Sequence, residues 1–280
     1  MSVGTLHLNR FRLELGRRTF VMGVLNVTPD SFSDGGLFLD PGRAVEYAHR
    51  MVEEGADLID IGGESTRPGA LPVPVEEELR RVLPVVRTLT KELSVPISVD
   101  TYKAEVAEAV LACGADLIND IGGLRLDPRM ASVVAKARAG LVIMHMKGTP
   151  RTMQHNPTYE DLMGEILAFL KRQVERAEEA GIDPSAILVD PGLGFGKRPE
   201  HNLIILQRLK ELQLLGKPIL IGPSRKAFIG HVLGLPVEDR LEGTLACGAA
   251  AVWNGAHVIR VHDVKPMARL VRMLDAIRGT

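Results

Sequence analysis

Hydrophobic and polar positions along the chain follow two periods. Over residues 5–18, Leu6, Leu8, Phe11, Leu13 and Leu15 alternate with polar neighbours, and Asn9-Arg10 separates the halves. That pattern predicts a small hairpin capping one end of the fold. A buried strand follows at 20–26. Pro41 then opens a helix carrying Ala44, Val45, Ala48, Met51 and Val52 at helical spacing, and Gly55 ends it. The phrase Ala56-Asp-Leu-Ile-Asp-Ile-Gly-Gly63 returns almost unchanged within 112–123 and more loosely at 254–262. Each copy is a helix end, a glycine stop, a short apolar strand and a polar strand terminus, the joint of a repeated βα unit. Strands are expected at about 20–26, 57–62, 96–100, 116–121, 140–146, 187–191, 218–222 and 257–262. Helices follow them, most clearly at 75–93, 103–113, 159–180, 201–215 and 237–255. Strands alternating with helices in this way predict an α/β chain, a (β/α)8 TIM barrel with a short N-terminal β-hairpin. A doubly wound open sheet is the other arrangement the pattern allows. No Gly-x-Gly-x-x-Gly phrase follows the first strand, which counts against its dinucleotide-binding form.

Active groups of a barrel sit at the C-terminal ends of its strands. Those ends carry Asn26, Glu64-Ser-Thr-Arg-Pro-Gly69, Asp100, Asn119-Asp120, Met144-His-Met-Lys147, Asp190-Pro191, Ser224-Arg-Lys226 and Arg260-Val-His262. The stretch 22–36 leaves its strand into a polar loop of hydroxyls, an amide and carboxylates that ends in Gly35-Gly36, without one basic residue. A phosphate meeting that loop must be neutralised from elsewhere. Arg260 and His262 share parity on one strand and could supply the missing cations. Bland readings compete at several positions. Asp100 could be a helix N-cap, Lys226 a solvated helix-start lysine or an aldolase-type Schiff-base lysine, and His145 a packed core histidine. The Gly-rich run Asp190-Pro-Gly-Leu-Gly-Phe-Gly-Lys197 lacks the Walker spacing, so it is weak evidence for phosphate. Phe195 lies between two of its glycines, a place where a core ring is unusual, and a flat aromatic ligand could stack there.

Composition narrows the classes. The chain has 280 residues, 45% hydrophobic and 25% charged, with a formal net charge of −1. No basic field or aromatic-interleaved cluster speaks for nucleic acid. No apolar run reaches the roughly 20 residues of a membrane span, and no apolar signal core opens the chain, so a cytoplasmic enzyme is expected. Cys113 and Cys247 lie in Ala-rich helical patterns and are expected to be small buried residues, not a disulfide or zinc site.

Taken together, Met22 to Gly36, Asp60-Ile-Gly-Gly-Glu-Ser-Thr-Arg-Pro-Gly69, Ser98-Val-Asp-Thr101, Asn119-Asp120, the run 190–197, Ser224-Arg-Lys226 and Arg260-Val-His-Asp263 resemble the dihydropteroate synthases of folate biosynthesis, in order and over nearly the whole chain. The resemblance implies one pterin-binding (β/α)8 barrel domain over residues 1–280. It also implies a transferase that condenses (7,8-dihydropterin-6-yl)methyl diphosphate with 4-aminobenzoate, giving 7,8-dihydropteroate and diphosphate. It places the pterin among Asp100, Asn119, Ile121, Met144, Asp190 and Lys226. The diphosphate falls to Asn26, Thr66, Arg67, Arg260 and His262, and the 4-aminobenzoate to Thr66, Arg67, Pro68, Phe195 and Ser224. Mg2+ is the implied cofactor, at Asn26, and the implied assembly is a homodimer through late helices. Asp100, Lys226, Arg260 and Asn26 would carry catalysis. The chemistry of the residues agrees: buried Asp100 and Asp190 can accept from an amidine-like edge, Asn119 can donate or accept, and Lys226 can donate to a carbonyl or ring nitrogen. An SN1-like route is expected, diphosphate leaving before the amine attacks, and the lack of an obvious His–carboxylate dyad fits it. The loop through Asp30, Ser31, Phe32 and Asp34 would act as a lid. A methyltetrahydrofolate-dependent corrinoid methyltransferase and a non-catalytic pterin-binding paralogue are the alternatives.

Overall fold

A computed structural model describes residues 4–28, 40–66 and 69–279 of the chain. The hairpin pairs β1 (Thr5–Leu8) with β2 (Phe11–Glu14), Leu8 opposite Phe11, so Asn9 and Arg10 make the turn. Eight parallel strands follow: β3 (Phe20–Asn26), β4 (Leu58–Gly62), β5 (Ile97–Asp100), β6 (Leu117–Asp120), β7 (Gly140–Met144), β8 (Ile187–Asp190), β9 (Leu220–Ile221) and β10 (Val258–Val261). They form one sheet in the order β8-β7-β6-β5-β4-β3-β10-β9. The remaining seam closes through a parallel bridge between Val189 and Ile219, with Val189 N donating to Pro218 O at 2.9 Å. The sheet is therefore a barrel, as the alternation of strands and helices predicts, and not a doubly wound open sheet.

The helices α1 (Pro41–Glu53), α2 (Val75–Glu92), α3 (Ala104–Ala112), α4 (Met130–Ala137), α5 (Leu162–Glu179), α6 (Pro199–Gln207), α7 (Ala227–Leu233), α8 (Leu241–Trp253) and α9 (Val264–Arg278) surround it. Two expected helices are each divided. The pattern at 201–215 ends as α6 at Gln207 and continues as a 3-10 helix, Leu209–Leu215. Leu209 and Leu212, three residues apart, are both fully buried, and three-residue spacing lines up side chains on a 3-10 turn. The pattern at 237–255 is a 3-10 turn followed by α8; between them the Arg240 guanidinium turns back to Leu235 O and Arg225 O. The cysteines also depart from expectation. Both are half-buried at the edge of the main core cluster, Cys113 as the C-terminal cap of α3, 3.5 Å from Arg87 Nε, and Cys247 on α8.

Strand parity divides the core. Outward residues such as Ile59, Ile61, Val99, Ile118 and Ile259 pack beneath the helices in one continuous cluster. Inward residues of the strands' first halves, including Phe20, Met22, Leu58, Leu117, Val142 and Leu188, form a separate plug with Leu6, Leu8 and Leu15 of the hairpin segment. The hairpin thus seals the N-terminal end of the barrel. Arg10 fastens it there, donating from Nε and Nη2 to the two oxygens of buried Asp116, each at 3.0 Å, and from Nη1 to Thr90 O at 2.9 Å. Leu8→Ala removes a side chain that is 1% exposed. We expect it to lower unfolding free energy by about 2–5 kcal/mol with kcat unchanged, measured by denaturant unfolding and steady-state turnover. A normal denaturation midpoint would show that the plug does not bear on stability.

Candidate active site

The inward positions of the strands' second halves are polar where the first halves are apolar. Asp60 sits beside Ser98, Gly62 beside Asp100, Asp100 beside Asn119, and Met144 beside Asp190 in register. Arg260 faces inward from β10, and His262 follows it two residues on. The functional groups read from strand ends therefore converge on one mouth, carried there by the two-residue period of eight separate strands.

At the centre is Arg260. Its Nε donates to Asp60 Oδ2 at 2.6 Å and its Nη2 to Asp100 Oδ2 at 2.9 Å. Asp60 is fully buried, and Asn119 Nδ2 donates to the same Oδ2 at 3.0 Å. Four buried acceptors in this layer have no hydrogen-bond partner among the described residues: Asp60 Oδ1, Ser98 Oγ, Asp100 Oδ1 and Asn119 Oδ1. Across the mouth stands Lys226 on the loop after β9. Its ammonium lies 4.3 Å from the Phe195 ring centroid and makes no hydrogen bond to a described residue. Burial pushes Lys226 down to about 8, with Arg260 adding to the effect and Asp190 and Asp100 opposing it. Burial raises Asp100 to about 7 against the pull of Arg260, and the charges of Asp60 and Glu78 add to the rise. Asp190 is raised for the same first reason, although its Oδ1 accepts from Gly192 N at 2.7 Å. Asp100 is thus no helix cap: α3 begins at Ala104, whose amide bonds Asp127.

On the wall, His262 Nδ1 lies 2.9 Å from Ser224 Oγ, and Asn26 Nδ2 lies 3.4 Å from His262 Nε2. An amide nitrogen facing Nε2 requires that atom to accept, which puts the ring proton on Nδ1, toward the serine. Burial, reinforced by Arg260 and Arg225, pushes His262 down to about 3, so the ring is neutral. Arg260 and His262 do share this wall, but the histidine carries no charge and the arginine is shared by two carboxylates. Asn119 also differs from expectation. One amide hydrogen is committed to Asp60, so it faces the mouth chiefly as an acceptor.

Ile121, Met144, Met146, Met153 and Phe195 make a small apolar cluster beside the polar layer, with Tyr102 and Leu126 against it. Phe195 is 8% exposed, so this ring between glycines does belong to a core, a local one at the mouth. The Gly-rich run is a packing strap. A Cβ at Gly192 would lie 2.1 Å from His145 O and one at Gly196 would lie 2.4 Å from Lys147 O, both at positive φ. Only glycine fits such an approach. Gly194 N is occupied by Asn202 Oδ1 at 2.7 Å, which leaves little of a phosphate cradle. Lys197 ties the strap down, its buried ammonium bonding Phe195 O at 2.9 Å and His145 Nδ1 at 2.9 Å. His145 is a packed histidine, edge-on to Phe169 with centroids 5.0 Å apart.

Thr66 is half-buried at the start of its loop, while Arg67 and Pro68, like the lid residues Asp30, Ser31, Phe32 and Asp34, lie outside the described residues. Several residues here stand in the motifs or beside them but take no role from the sequence alone. Asp60 was visible as an acid inside an apolar strand, the same signal that marks Asp100. Arg225, bonded through Nε and Nη2 to Asp263 at 3.0 and 2.7 Å, fixes the loop that carries Ser224 and Lys226. Tyr102, Glu64 and Lys103 form a polar cluster behind the Thr66 loop.

A closed parallel barrel with a buried polar layer at the C-terminal strand ends, several of its acceptors unpaired among the described residues, is the architecture of a barrel enzyme. A family model described as pterin binding enzyme matches residues 22–262. Dihydropteroate synthase of Synechocystis is 48% identical over 94% of this chain and 91% of its own length, and that of Bacillus subtilis is 47% identical over 97% and 93%. The structure of Yersinia pestis dihydropteroate synthase in a sulfonamide drug complex superposes with a TM-score of 0.95 at 46% identity, covering 99% of this chain and all of that one. The Xanthomonas albilineans enzyme with 4-aminobenzoic acid gives a TM-score of 0.91 at 45% identity, covering 99% and 98%. The chain belongs to the dihydropteroate synthases, transferases of folate biosynthesis. The methyltransferase and non-catalytic alternatives give way to these matches. Among the described residues, no helix is long and apolar enough to cross a membrane.

Proposed function

We propose that the mouth holds (7,8-dihydropterin-6-yl)methyl diphosphate edge-on against Asp100, Asn119, Asp190 and Lys226, and releases its diphosphate before 4-aminobenzoate attacks. One observation carries this reading: among the described residues, the unpaired acceptors gather on one side, at Asp100 Oδ1, Asn119 Oδ1 and their neighbours, and a lysine without an acceptor stands on the other. A dihydropterin edge presents N–H donors next to a carbonyl, which answers both demands. Ile121 and Met144 pack the ring faces. As the methylene–oxygen bond breaks, positive charge spreads into the ring, and ionised Asp100 lies against it.

The leaving group falls to Asn26, Arg260, His262, Thr66 and Arg67, and Arg260 has Nη1 still to offer. With Nδ2 turned to His262, Asn26 keeps Oδ1 for a hard cation, and Mg2+ favours one or two protein oxygens completed by water and phosphate. The residue fits, so Asn26 would hold the ion, which supplies charge neutralisation to the departing diphosphate. Thr66, Arg67, Pro68, Phe195 and Ser224 receive the 4-aminobenzoate.

The same reading includes a single pterin-binding domain over 1–280, a cytoplasmic location and a homodimer. The dimer is supported by the apolar composition of α8 together with exposed Leu233, Leu235 and Trp253 nearby in the chain. The test is positional isotope exchange. With the bridging oxygen of the substrate labelled and 4-aminobenzoate withheld, label should scramble into non-bridging positions, and net diphosphate release should rise sharply when 4-aminobenzoate is added. No scrambling, combined with a turnover rate that tracks amine nucleophilicity, would favour direct displacement and overturn the dissociative order.

A further inference from the structure

Asp60 has no role in the reading above, yet it is the most deeply buried acid of the mouth. Val24 and Leu58 beside it are apolar and Ser98 on its other flank is fully buried, so a carboxylate there is costly to desolvate. A buried carboxylate oxygen left without a partner calls for a reason. Asp60 satisfies one, through Arg260 Nε at 2.6 Å and Asn119 Nδ2 at 3.0 Å, and leaves Oδ1 unpaired.

We infer that Asp60 is a positioning residue of the substrate slot, setting the orientation of both Asn119 and Arg260. A carboxylate only accepts, so it draws the amide nitrogen of Asn119 toward itself and turns Oδ1 to the ligand. With an apolar residue at 60, the amide could rotate and present a donor where the dihydropterin edge also donates. Arg260 is held differently. Its Nε is tied to β4 through Asp60 and its Nη2 to β5 through Asp100, so the planar fork spans two strands and Nη1 faces the leaving group in a fixed direction. One buried oxygen thereby governs both ends of the substrate, the ring through Asn119 and the diphosphate through Arg260.

This rests on the placement of Asn119 and Arg260 proposed above, and the two can fail separately. Calorimetry would use 6-hydroxymethylpterin as a probe of the ring and inorganic diphosphate with Mg2+ as a probe of the leaving-group side. Asn119→Ala should weaken the first by about tenfold and Arg260→Lys the second by a similar factor. Asp60→Asn should weaken both by about tenfold, while the KM for 4-aminobenzoate at saturating co-substrate stays within about twofold. If Asp60→Asn does not fold, Asp60→Ser, which has no amide to reverse the polarity, is measured in its place. Normal affinity for both probes in the Asp60 variant would overturn the inference. So would a matching loss of 4-aminobenzoate, which marks general loosening. If instead Asn119→Ala and Arg260→Lys leave both probes untouched, the slot assignment itself falls.

Discussion

Asp100→Asn should lower kcat by about a hundredfold or more, with a smaller change in KM for the dihydropterin substrate. The amide keeps the shape and still offers an oxygen to Arg260, but its nitrogen then meets the dihydropterin edge as a second donor, so affinity falls too, by less than turnover. The negative charge against the developing cation is lost, and that charge counts chiefly in the transition state. The pH profile provides a second readout. Burial raises Asp100 to about 7, and the proposed role needs it ionised. Wild-type kcat/KM should therefore fall as pH drops through about 7, and the acid limb should disappear in Asp100→Asn. A variant with near-normal turnover, or one that retains the acid limb, would remove Asp100 from the mechanism.

Lys226→Met carries the second-largest effect, a loss in kcat/KM of about 10- to 150-fold. This corresponds to one charge-assisted hydrogen bond of about 1.5–3 kcal/mol. Methionine preserves the aliphatic stem against Phe195 and removes only the donor. Here the sign runs the other way. Burial lowers Lys226 to about 8, and the donating form is the cation, so wild-type activity should fall as pH rises through about 8. The wild-type profile is then bell-shaped, highest between about 7 and 8, and Lys226→Met should lack the alkaline limb. The two groups interact through space, so each limb belongs to the set, and its disappearance in one variant is what assigns it. Borohydride trapping with substrate should give no adduct at Lys226; a covalent adduct would restore the Schiff-base reading.

Much of the fold is written locally. Strand and helix positions follow from periods of two and 3.6, and a glycine closes several helices just before the next strand, as Gly55, Gly114 and Gly255 do. The elements at 20–26, 75–93 and 140–146 accordingly appear within a residue or two of expectation. Boundaries shift where tertiary packing overrides the period, as at Leu209 and Leu212, which favour a 3-10 turn because both are buried. The half-exposed cysteines show the converse: an Ala-rich helical pattern gives the period but not which face meets the barrel.

The site divides in the same manner. Asn26, Asp100, Asn119, Asp190, Lys226 and Arg260 are legible because each is a polar residue at the end of an apolar run, and strand direction alone sends them to one rim. The roles of their individual atoms are not legible. Arg260 meets Asp60 and Asp100 from 200 and 160 residues away, and those contacts exist only once the sheet has closed. Closure decides that His262 is neutral, since its proton depends on burial beside Arg260 and Arg225. It decides that Asn119 accepts, since its amide nitrogen is spent on Asp60. The sequence by itself determined the alternation of strands and helices, the family and the rim of candidate residues, because periodicity and motif are properties of neighbours in the chain. Only the tertiary structure decided charge state, tautomer and the unpaired acceptors, because desolvation and hydrogen-bond supply depend on neighbours in space.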